Sequence, residues 1–344
     1  MKIGIIGLPE SGKSTIFHAL TRIPIDRGHK ESDRIGSVPV PEPRLDDLNA
    51  VYNPKKVIFA RVAYYLPALP AHLQEHLYDQ SIHRQIRDCD ALIHVVRNFS
   101  APGLPPPQVN DDFHKSEQEL MLSDLITVEK RLERLDLDRK RGMKSDEEEL
   151  SLLIQCQQAL EKGIPLRDRS LLAGAPRLRG YALLSAKPVL ILFNNNDEDR
   201  QMPEPFKNSD SMMCQVIQGK LESELAQMPE AEAELFLAEF NLTDPAKDRI
   251  IRRSSRLLNR ISFFTVLSDE ARAWTIKNGT CALDAASEIH SDMKKGFIRA
   301  EVLNHKALMA AGSPQAAKKQ GHVRLEGKTY TIADGDIIQF RFNV

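Results

Sequence analysis

The stretch Gly7 to Thr15 reads GLPESGKST and directly follows the apolar run Lys2 to Ile6. It fits the pattern G-x-x-x-x-G-K-[ST], and an apolar helix begins after it at Ile16. A strand, a glycine-rich turn and a helix in this order indicate a P-loop, whose backbone N–H groups surround phosphate oxygens. The alternative is a glycine-rich turn without a ligand, and the agreement between the pattern and its setting argues against it.

The residue types of this loop match the chemistry of phosphate binding. Lys13 brings a positive charge to the β- and γ-phosphates, and the Ser14 hydroxyl is a ligand for Mg²⁺. The helix N-terminus adds a partial positive charge. Glu10 is the exception, because an acid in this loop repels phosphate unless its side chain points to solvent. The predicted phosphate-binding residues are Gly7, Glu10, Ser11, Gly12, Lys13, Ser14 and Thr15, with Ser14 also the predicted metal ligand.

Composition and charge exclude several classes of protein. The 344 residues are 42% hydrophobic, which suggests two or three packed domains and excludes global disorder. The net charge is −1, so any binding to nucleic acid must be local. The four cysteines lie far apart without metal-ligand spacing, which predicts free thiols in a reducing compartment. Because we find no signal segment and no apolar run of about 18 residues, we expect a cytoplasmic protein without membrane contact.

Further apolar runs predict an α/β fold with a parallel sheet. Asp90 to Val96 and Lys187 to Phe193 read as buried strands, and Val57 to Leu66 also has strand character. Helical segments separate these strands, which predicts a doubly wound sheet around the P-loop. From Ile261 onward, short strands with turn signals and a helix predict a small β-grasp domain.

A helical insertion lies between the two buried strands. Its residues recur at steps of three and four, which predicts an antiparallel coiled-coil hairpin with a charged turn at Asp138 to Glu149. An ordinary amphipathic helix pair packed on the body fits the same spacing. The series is Met121, Leu125, Val128, Leu132 and Leu135, then Leu150, Leu153, Gln157 and Leu160. The predicted domains are a nucleotide-binding domain (1–112 and 183–260), the helical insertion (113–182) and the C-terminal domain (261–344).

A polar loop, residues 194–198 (NNNDE), follows the strand that ends at Phe193. At the carboxyl edge of a nucleotide-binding sheet, amides and acids are placed to read a purine base. A generic polar turn is the equal alternative.

Seven stretches together carry a resemblance that runs essentially from end to end. The chain resembles the YchF subfamily of Obg-related P-loop NTPases, also called Obg-like ATPases. The last two stretches resemble the family's TGS domain almost word for word. The stretches are GLPESGKSTIFHALT (7–21), VPVPEPRLDDL (38–48), RDCDALIHVVRNF (87–99), SDLITVEKRLERL (123–135), KPVLILFNNND (187–197), RAWTIKNGTCALDAASEIHSDMKKGFIRAEVL (272–303) and RLEGKTYTIADGDIIQFRFNV (324–344).

The resemblance implies a Ras-like P-loop NTPase domain, an inserted helical coiled-coil arm and a ubiquitin-like TGS domain. It also implies binding of ATP or GTP, slow hydrolysis and association with ribosomes. These expectations cover the whole chain.

Two supports for Mg²⁺ and hydrolysis that the family carries are missing from this sequence. Leu66 stands where the family's D-I-A-G-L stretch has its aspartate, and Leu69 stands at the glycine. The switch I threonine is also absent, since no threonine lies between Thr21 and Thr127. Only Ser14 and the phosphates remain to hold the ion, so we expect weakly held Mg²⁺ and hydrolysis that is slow or lost.

Two other functional interpretations stay open. In one, the chain is an active but slow ATPase or GTPase that obtains the missing groups elsewhere, from the ribosome or from its own side chains. In the other, it is a structural binding module with a vestigial P-loop. The side chains considered for the first interpretation are His72, His76 and Asp79.

The base-binding residues follow from the family's register. Counting from Lys187 gives Asn194 with Asp197, an acid of the guanine-reading type, whereas a one-residue bulge would give Asn195 with Glu198. We therefore predict ATP or GTP binding with weak selectivity. The predicted base-binding residues are Asn194, Asn195, Asp197, Gly219 and Lys220, the last two from a looser match to the family's downstream loop.

A local basic cluster lies in the predicted TGS domain, made of Lys294, Lys295, Arg299, His305 and Lys306, of which the first three are the predicted RNA contacts. It predicts contact with an RNA backbone that weakens as salt rises. The family resemblance implies association with the ribosome or RNA through the TGS domain and the helical arm. A solvated surface beside Asp292 and Glu301 is the alternative.

Overall fold

The computed structural model describes residues 1–24, 32–68, 80–143, 146–209, 211–239, 245–267 and 269–343. The chain forms two compact units, one from Met1–Val38 and Val62–Leu257, the other from Pro39–Arg61 and Leu258–Val344. This division differs from the predicted domains, which kept residues 39–61 with the P-loop.

The strands are β1 (Lys2–Ile6), β2 (Arg34–Pro39), β3 (Lys56–Ile58), β4 (Arg61–Leu66), β5 (Ala91–Asn98), β6 (Val189–Asn195), β7 (Met212–Ile217), β8 (Arg260–Val266), β9 (Glu270–Lys277), β10 (Phe297–Asn304), β11 (Arg324–Glu326) and β12 (Asp336–Phe342). The helices are α1 (Lys13–Thr21), α2 (Pro43–Tyr52), α3 (Gln80–Ile86), α4 (Val109–Lys140), α5 (Glu147–Glu161), α6 (Ser170–Gly174), α7 (Gly219–Leu225), α8 (Glu230–Glu239), α9 (Ala246–Leu257), α10 (Ala282–Ile289), α11 (Ser291–Lys295), α12 (His305–Ala311) and α13 (Pro314–Lys319). Two short 3₁₀ helices span Leu166–Asp168 and Pro176–Tyr181.

The first unit contains the predicted parallel sheet, with strand order β2-β4-β1-β5-β6-β7. Strands β4, β1, β5, β6 and β7 run parallel to one another. All seven residues of β6 are buried, as expected for a central strand covered on both faces. The sequence interpretation missed β7, whose six residues carry Gln215 in an otherwise short apolar run.

The predicted single strand Val57 to Leu66 was wrong. The structure divides it into β3 and β4, which belong to different sheets. At the break, the Ala60 carbonyl accepts a hydrogen bond from the Val40 amide. Nine of the ten residues are apolar, and the single charge of Arg61 does not by itself indicate that the chain leaves one sheet for another.

The helical insertion is present as α4 and α5, joined by a short turn. Leu135 of α4 and Leu153 of α5 share a buried cluster that also includes residues of the short helices after α5. Cys156 lies in this cluster, whereas the predicted Gln157 is only half-buried. The first turns of α4 instead place Phe113 in the core of the parallel sheet. One end of α4 therefore packs on the body, as in the second alternative, and the remainder pairs with α5.

Asp124 attaches α4 to the chain that leads into β6. Its buried carboxylate accepts hydrogen bonds from the amides of Leu184 (2.8 Å) and Ser185 (2.7 Å) and from the Ser185 hydroxyl (2.7 Å). Burial raises the pKa of Asp124, while these donors and Arg87 lower it. The contacts fix the orientation of the helical insertion within the first unit.

The second unit has a sheet of order β11-β10-β12-β8-β9-β3. Strands β8 and β9 form an antiparallel hairpin, β12 runs parallel to β8, and α10 packs Ala285 against Phe263. This is the predicted β-grasp arrangement. Residues 329–332 lie outside the strands of this sheet, and Thr331 forms an isolated bridge with Cys281.

Segment 39–61 contributes two elements to the second unit. Its strand β3 pairs in parallel with β9, and its helix α2 places Leu45 and Leu48 in a cluster with Phe264.

No helix among the described residues has the length and apolar character that a membrane span requires. The four cysteines are free, as predicted.

Candidate functional site

The P-loop connects the end of β1 to the first turn of α1. Gly7 and Gly12 adopt φ values of 145° and 95°, which side chains rarely tolerate. A Cβ on Gly7 would lie 2.3 Å from the Val95 carbonyl oxygen of the neighbouring strand. Both glycines are therefore required by the backbone path, whatever ligand the loop receives.

Lys13 is held inside the P-loop by hydrogen bonds to the backbone. Its Nζ donates hydrogen bonds to the carbonyl oxygens of Gly7 (2.7 Å) and Leu8 (2.6 Å). The residue is only 9% exposed, and burial lowers its pKa to about 8. The loop thus holds a cation that carbonyl oxygens solvate incompletely, which favours an incoming anion.

The other loop residues differ in exposure. Ser11 is buried, and its hydroxyl has no hydrogen-bond partner among the described residues. Ser14 is exposed in the first turn of α1, and Thr15 is half-buried. Glu10 is exposed at φ 59°, so solvent and salt screen its charge. Exposure of the Glu10 side chain meets the condition under which an acid is tolerated in this loop, namely that it points to solvent.

Asn194 connects the P-loop to helix α7. Its Nδ2 donates to the Ser11 carbonyl (3.0 Å), and its Oδ1 accepts from the Gly219 amide (3.0 Å). The side chain is 4% exposed. A Cβ on Gly12 would lie 2.2 Å from Asn194 Nδ2, and one on Gly219 would lie 2.6 Å from its Oδ1. Both ends of this amide are therefore used within the protein.

The remaining predicted base-binding side chains fall into two groups. Asn195 is buried, donating to the Gln201 carbonyl (2.9 Å) and accepting from Asn98 (3.0 Å). Asp197 is exposed and accepts a hydrogen bond from the Leu221 amide (3.3 Å), while Lys220 is exposed nearby in α7. The structure thus brings Asp197 and the start of α7 together, and base recognition by these residues stays a prediction.

Phe99 lies beside the P-loop and was not among the residues predicted from the sequence. It follows β5 and is half-buried, with Cε1 4.0 Å from where a Gly12 Cβ would stand. Its position directly after a buried strand, at the carboxyl edge of the sheet, was the available signal. The ring offers a flat apolar face beside the P-loop.

The switch positions provide no metal ligand among the described residues. Leu66 is 7% exposed at the end of β4, where it packs as a core residue. Leu69 lies outside the described residues, as do His72, His76 and Asp79. Among the described residues, no group of three or more His, Cys, Asp or Glu side chains could hold a metal ion. The donor set fits Mg²⁺ only as an ion that arrives with a nucleotide, with Ser14 as protein ligand.

The predicted basic cluster is partly paired with acids. Lys294 Nζ lies 2.9 Å from an oxygen of Asp284, and Lys295 Nζ lies 3.5 Å from one of Asp292. Arg299 stands opposite Arg341 in the β10–β12 pair. Contact of these cations with RNA stays a prediction.

Sequence and structure comparisons identify the family of the chain. Residues 260–343 match the protein family YchF-GTPase_C, described as a protein of unknown function (DUF933). The chain is 34% identical over 364 residues to the ribosome-binding ATPase YchF of Bacillus subtilis, with 99% of each chain covered. It is 35% identical over 364 residues to the ribosome-binding ATPase YchF of Escherichia coli O157:H7, covering 100% of this chain and 99% of that one.

The chain belongs to the YchF family. The solved Schizosaccharomyces pombe YchF GTPase superposes with a TM-score of 0.80 at 27% identity, covering 99% of this chain and 97% of that chain. The predicted family is therefore confirmed. So is the predicted fold class, a P-loop domain with a helical arm and a separate C-terminal domain.

Gly12→Ala should damage both the fold and the phosphate site, because the new Cβ would displace Asn194 Nδ2. We expect the free energy of unfolding to fall by about 2 to 4 kcal/mol in chemical denaturation and nucleotide affinity to fall at least about tenfold. Gly142→Ala is the matched control, since Gly142 also has a positive φ (74°) but no described residue lies within 4 Å of its added Cβ. Equal losses in the two variants would contradict the role of the Asn194 contact.

Nucleotide affinity should fall as pH rises through about 8, because Lys13 loses its proton there in the free protein. A bound phosphate favours the charged form, so each pH unit above 8 should lower affinity by up to about tenfold. Isothermal titration from about pH 7 to about pH 9 measures this slope. Arginine stays protonated throughout this range, so Lys13→Arg should show a flat profile whatever its absolute affinity. A wild-type profile that is equally flat would refute the assignment of this pH dependence to Lys13.

Proposed function

We propose that this protein is a purine-nucleotide-binding regulator that associates with the ribosome, and that its own hydrolytic activity is very slow or lost. The P-loop carries this proposal, because Lys13 is buried, its charge is incompletely solvated, and Asn194 fixes the loop around it. The relatives named ribosome-binding ATPase cover the whole chain and support both the nucleotide and the ribosome as partners. A cytoplasmic location is consistent with that role and with the free cysteines.

Recognition of the base rests on Asp197 and Phe99. A carboxylate only accepts hydrogen bonds, so Asp197 suits the N1 and N2 donors of guanine better than the edge of adenine. The Phe99 ring stacks on either purine. Since the side chains of Asn194 and Asn195 are bonded within the protein, few polar groups remain to discriminate, and we propose ATP or GTP binding with weak selectivity.

Slow hydrolysis follows from what the site lacks. With Leu66 packed in the core, Ser14 is the one side chain among the described residues that we assign to Mg²⁺. Phosphoryl transfer depends on positioning and charge stabilisation, and the missing switch residues would supply both. The alternative is a slow ATPase or GTPase whose missing groups come from the ribosome.

Isothermal titration with ADP, ATP, GDP and GTP, with and without Mg²⁺, tests the proposal. We expect micromolar binding in the wild type and loss of binding in Lys13→Ala. Single-turnover hydrolysis of labelled ATP and GTP should be at least about 100-fold slower than that of the Bacillus subtilis relative, a loss of about 2.7 kcal/mol of transition-state stabilisation. Turnover equal to the relative's, and abolished in Lys13→Ala, would contradict lost hydrolysis. No heat with any nucleotide would favour a vestigial P-loop.

Ribosome association through the C-terminal unit predicts salt-sensitive co-sedimentation. Charge reversal at Lys294 and Lys295 should lower the pelleted fraction at low salt, and the difference should shrink as salt rises. The matched control is charge reversal at Lys318 and Lys319, two exposed lysines of α13 in the same unit. Equal pelleting of wild type and both variants at every salt concentration would contradict an RNA contact at Lys294 and Lys295.

A further inference from the structure

Arg97 is a buried cation near the end of β5, and its hydrogen bonds to the described residues all go to backbone carbonyls. The side chain is 9% exposed. Its Nη1 donates to the Pro105 carbonyl (2.9 Å) and, over a longer distance, to the Phe99 carbonyl (3.4 Å). Its Nη2 donates to the Pro106 carbonyl at 3.5 Å. A guanidinium carries five donors in a planar fork, so this one side chain holds carbonyls on either side of the intervening loop.

That loop, residues 100–106, has little else to order it, and we call it the proline loop. It contains neither helix nor strand, and its three prolines have no N–H to donate. The Leu104 amide donates to the Ala101 carbonyl (3.1 Å), which closes a turn within the loop. Among the described residues, the other hydrogen bonds of the proline loop come from Arg97. The position of the proline loop on the protein therefore depends on one guanidinium.

Arg97 and Phe99 both lie close to the P-loop. In the pairing of β5 with β6, Arg97 is opposite Asn194, whose side chain donates to the Ser11 carbonyl of the P-loop (3.0 Å). Phe99 follows two residues after Arg97, and its Cε1 lies 4.0 Å from where a Gly12 Cβ would stand. The Phe99 ring is thus beside the P-loop while the Phe99 carbonyl faces Arg97.

The bonds of Arg97 order the site more than they support the fold. Pro105 and Pro106 are exposed, so water can replace Arg97 as the donor to their carbonyls at little cost. A buried charge is expensive to keep, and an apolar side chain of similar size is often tolerated in its place. A binding loop that is already ordered, by contrast, avoids an entropy loss when its ligand arrives. The arrangement therefore favours ligand binding.

We propose that Arg97 is a positioning residue for the nucleotide base, which holds Phe99 and the proline loop in the conformation that stacks on the purine. This inference rests on the proposed nucleotide-binding function. The donors of Arg97 face protein carbonyls, so Arg97 acts through Phe99 rather than by touching the nucleotide. It acts on adenine and guanine alike, because stacking on an aromatic ring does not depend on the edge of the base.

A double-mutant cycle with Arg97→Met and Phe99→Ala tests the inference by isothermal titration with ATP and GTP in Mg²⁺. Phe99→Ala should lower affinity about tenfold through loss of stacking. Arg97→Met should lower affinity about fivefold in the wild-type background but less than about twofold in the Phe99→Ala background, because its effect passes through the ring. Arg97→Lys should lie between wild type and Arg97→Met, since one ammonium group cannot span the same carbonyls.

Arg87→Met is the matched control. Arg87 also donates to backbone carbonyls, those of Tyr181 (3.1 Å) and Ala182 (3.2 Å), but it precedes β5 at the opposite end of that strand. Its variant should retain wild-type nucleotide affinity. Denaturation midpoints report folding separately, and that of Arg97→Met should stay close to the wild-type value because water solvates the exposed carbonyls of the proline loop.

Three results would overturn the inference. An unchanged affinity in Arg97→Met contradicts it directly. An equal loss in the wild-type and Phe99→Ala backgrounds would make Arg97 a general support of the site that does not act through the ring. If Phe99→Ala binds nucleotide as tightly as the wild type, the inference fails while nucleotide binding at the P-loop stands; if the wild type binds no nucleotide at all, both fail.

Discussion

The hydrogen bonds of Asn194 are the contact on which the candidate site depends. One amide group ties the P-loop carbonyl of Ser11 to the first amide of α7, across 183 and 25 residues of sequence. Two glycines, Gly12 and Gly219, make room for it, since a Cβ on either would enter the space of the side chain. The loop geometry is therefore set by a contact with β6 as well as by its own sequence.

The connectivity of the chain limits how the two units can be separated. The chain leaves the first unit after Val38, returns at Val62 and leaves again after Leu257. Within the second unit, Arg44 bonds to Glu42 and Asp334, whose carboxylate also accepts from the Ser262 amide. Removing the C-terminal residues would strip α2 of these partners and of its apolar core. Strands β2 and β4, neighbours in the first sheet, are thus joined by a segment that belongs to the second unit.

The sequence predicts well those features that local pattern controls. The P-loop, the central strands and the heptad-like spacing of α4 each follow from a few neighbouring residues, and the structure contains them. The break between β3 and β4 could not be predicted, because one charged residue, Arg61, in an otherwise apolar run of ten does not indicate a change of sheet. The role of Asn194 was also hidden, since its partners are distant in sequence.

The energetics of Lys13 argue that the P-loop is more than a remnant. Burial lowers its pKa from 10.5 to about 8, which corresponds to about 3 kcal/mol of folding free energy lost while the residue is charged. The folded-state pKa is below that of the unfolded chain, so this cost is full below pH 8 and disappears as pH rises through 10.5. An apolar side chain would avoid the cost at neutral pH. Bound phosphate removes this free-energy cost because it supplies the missing countercharge. Relief of the cost therefore adds to the affinity for phosphate.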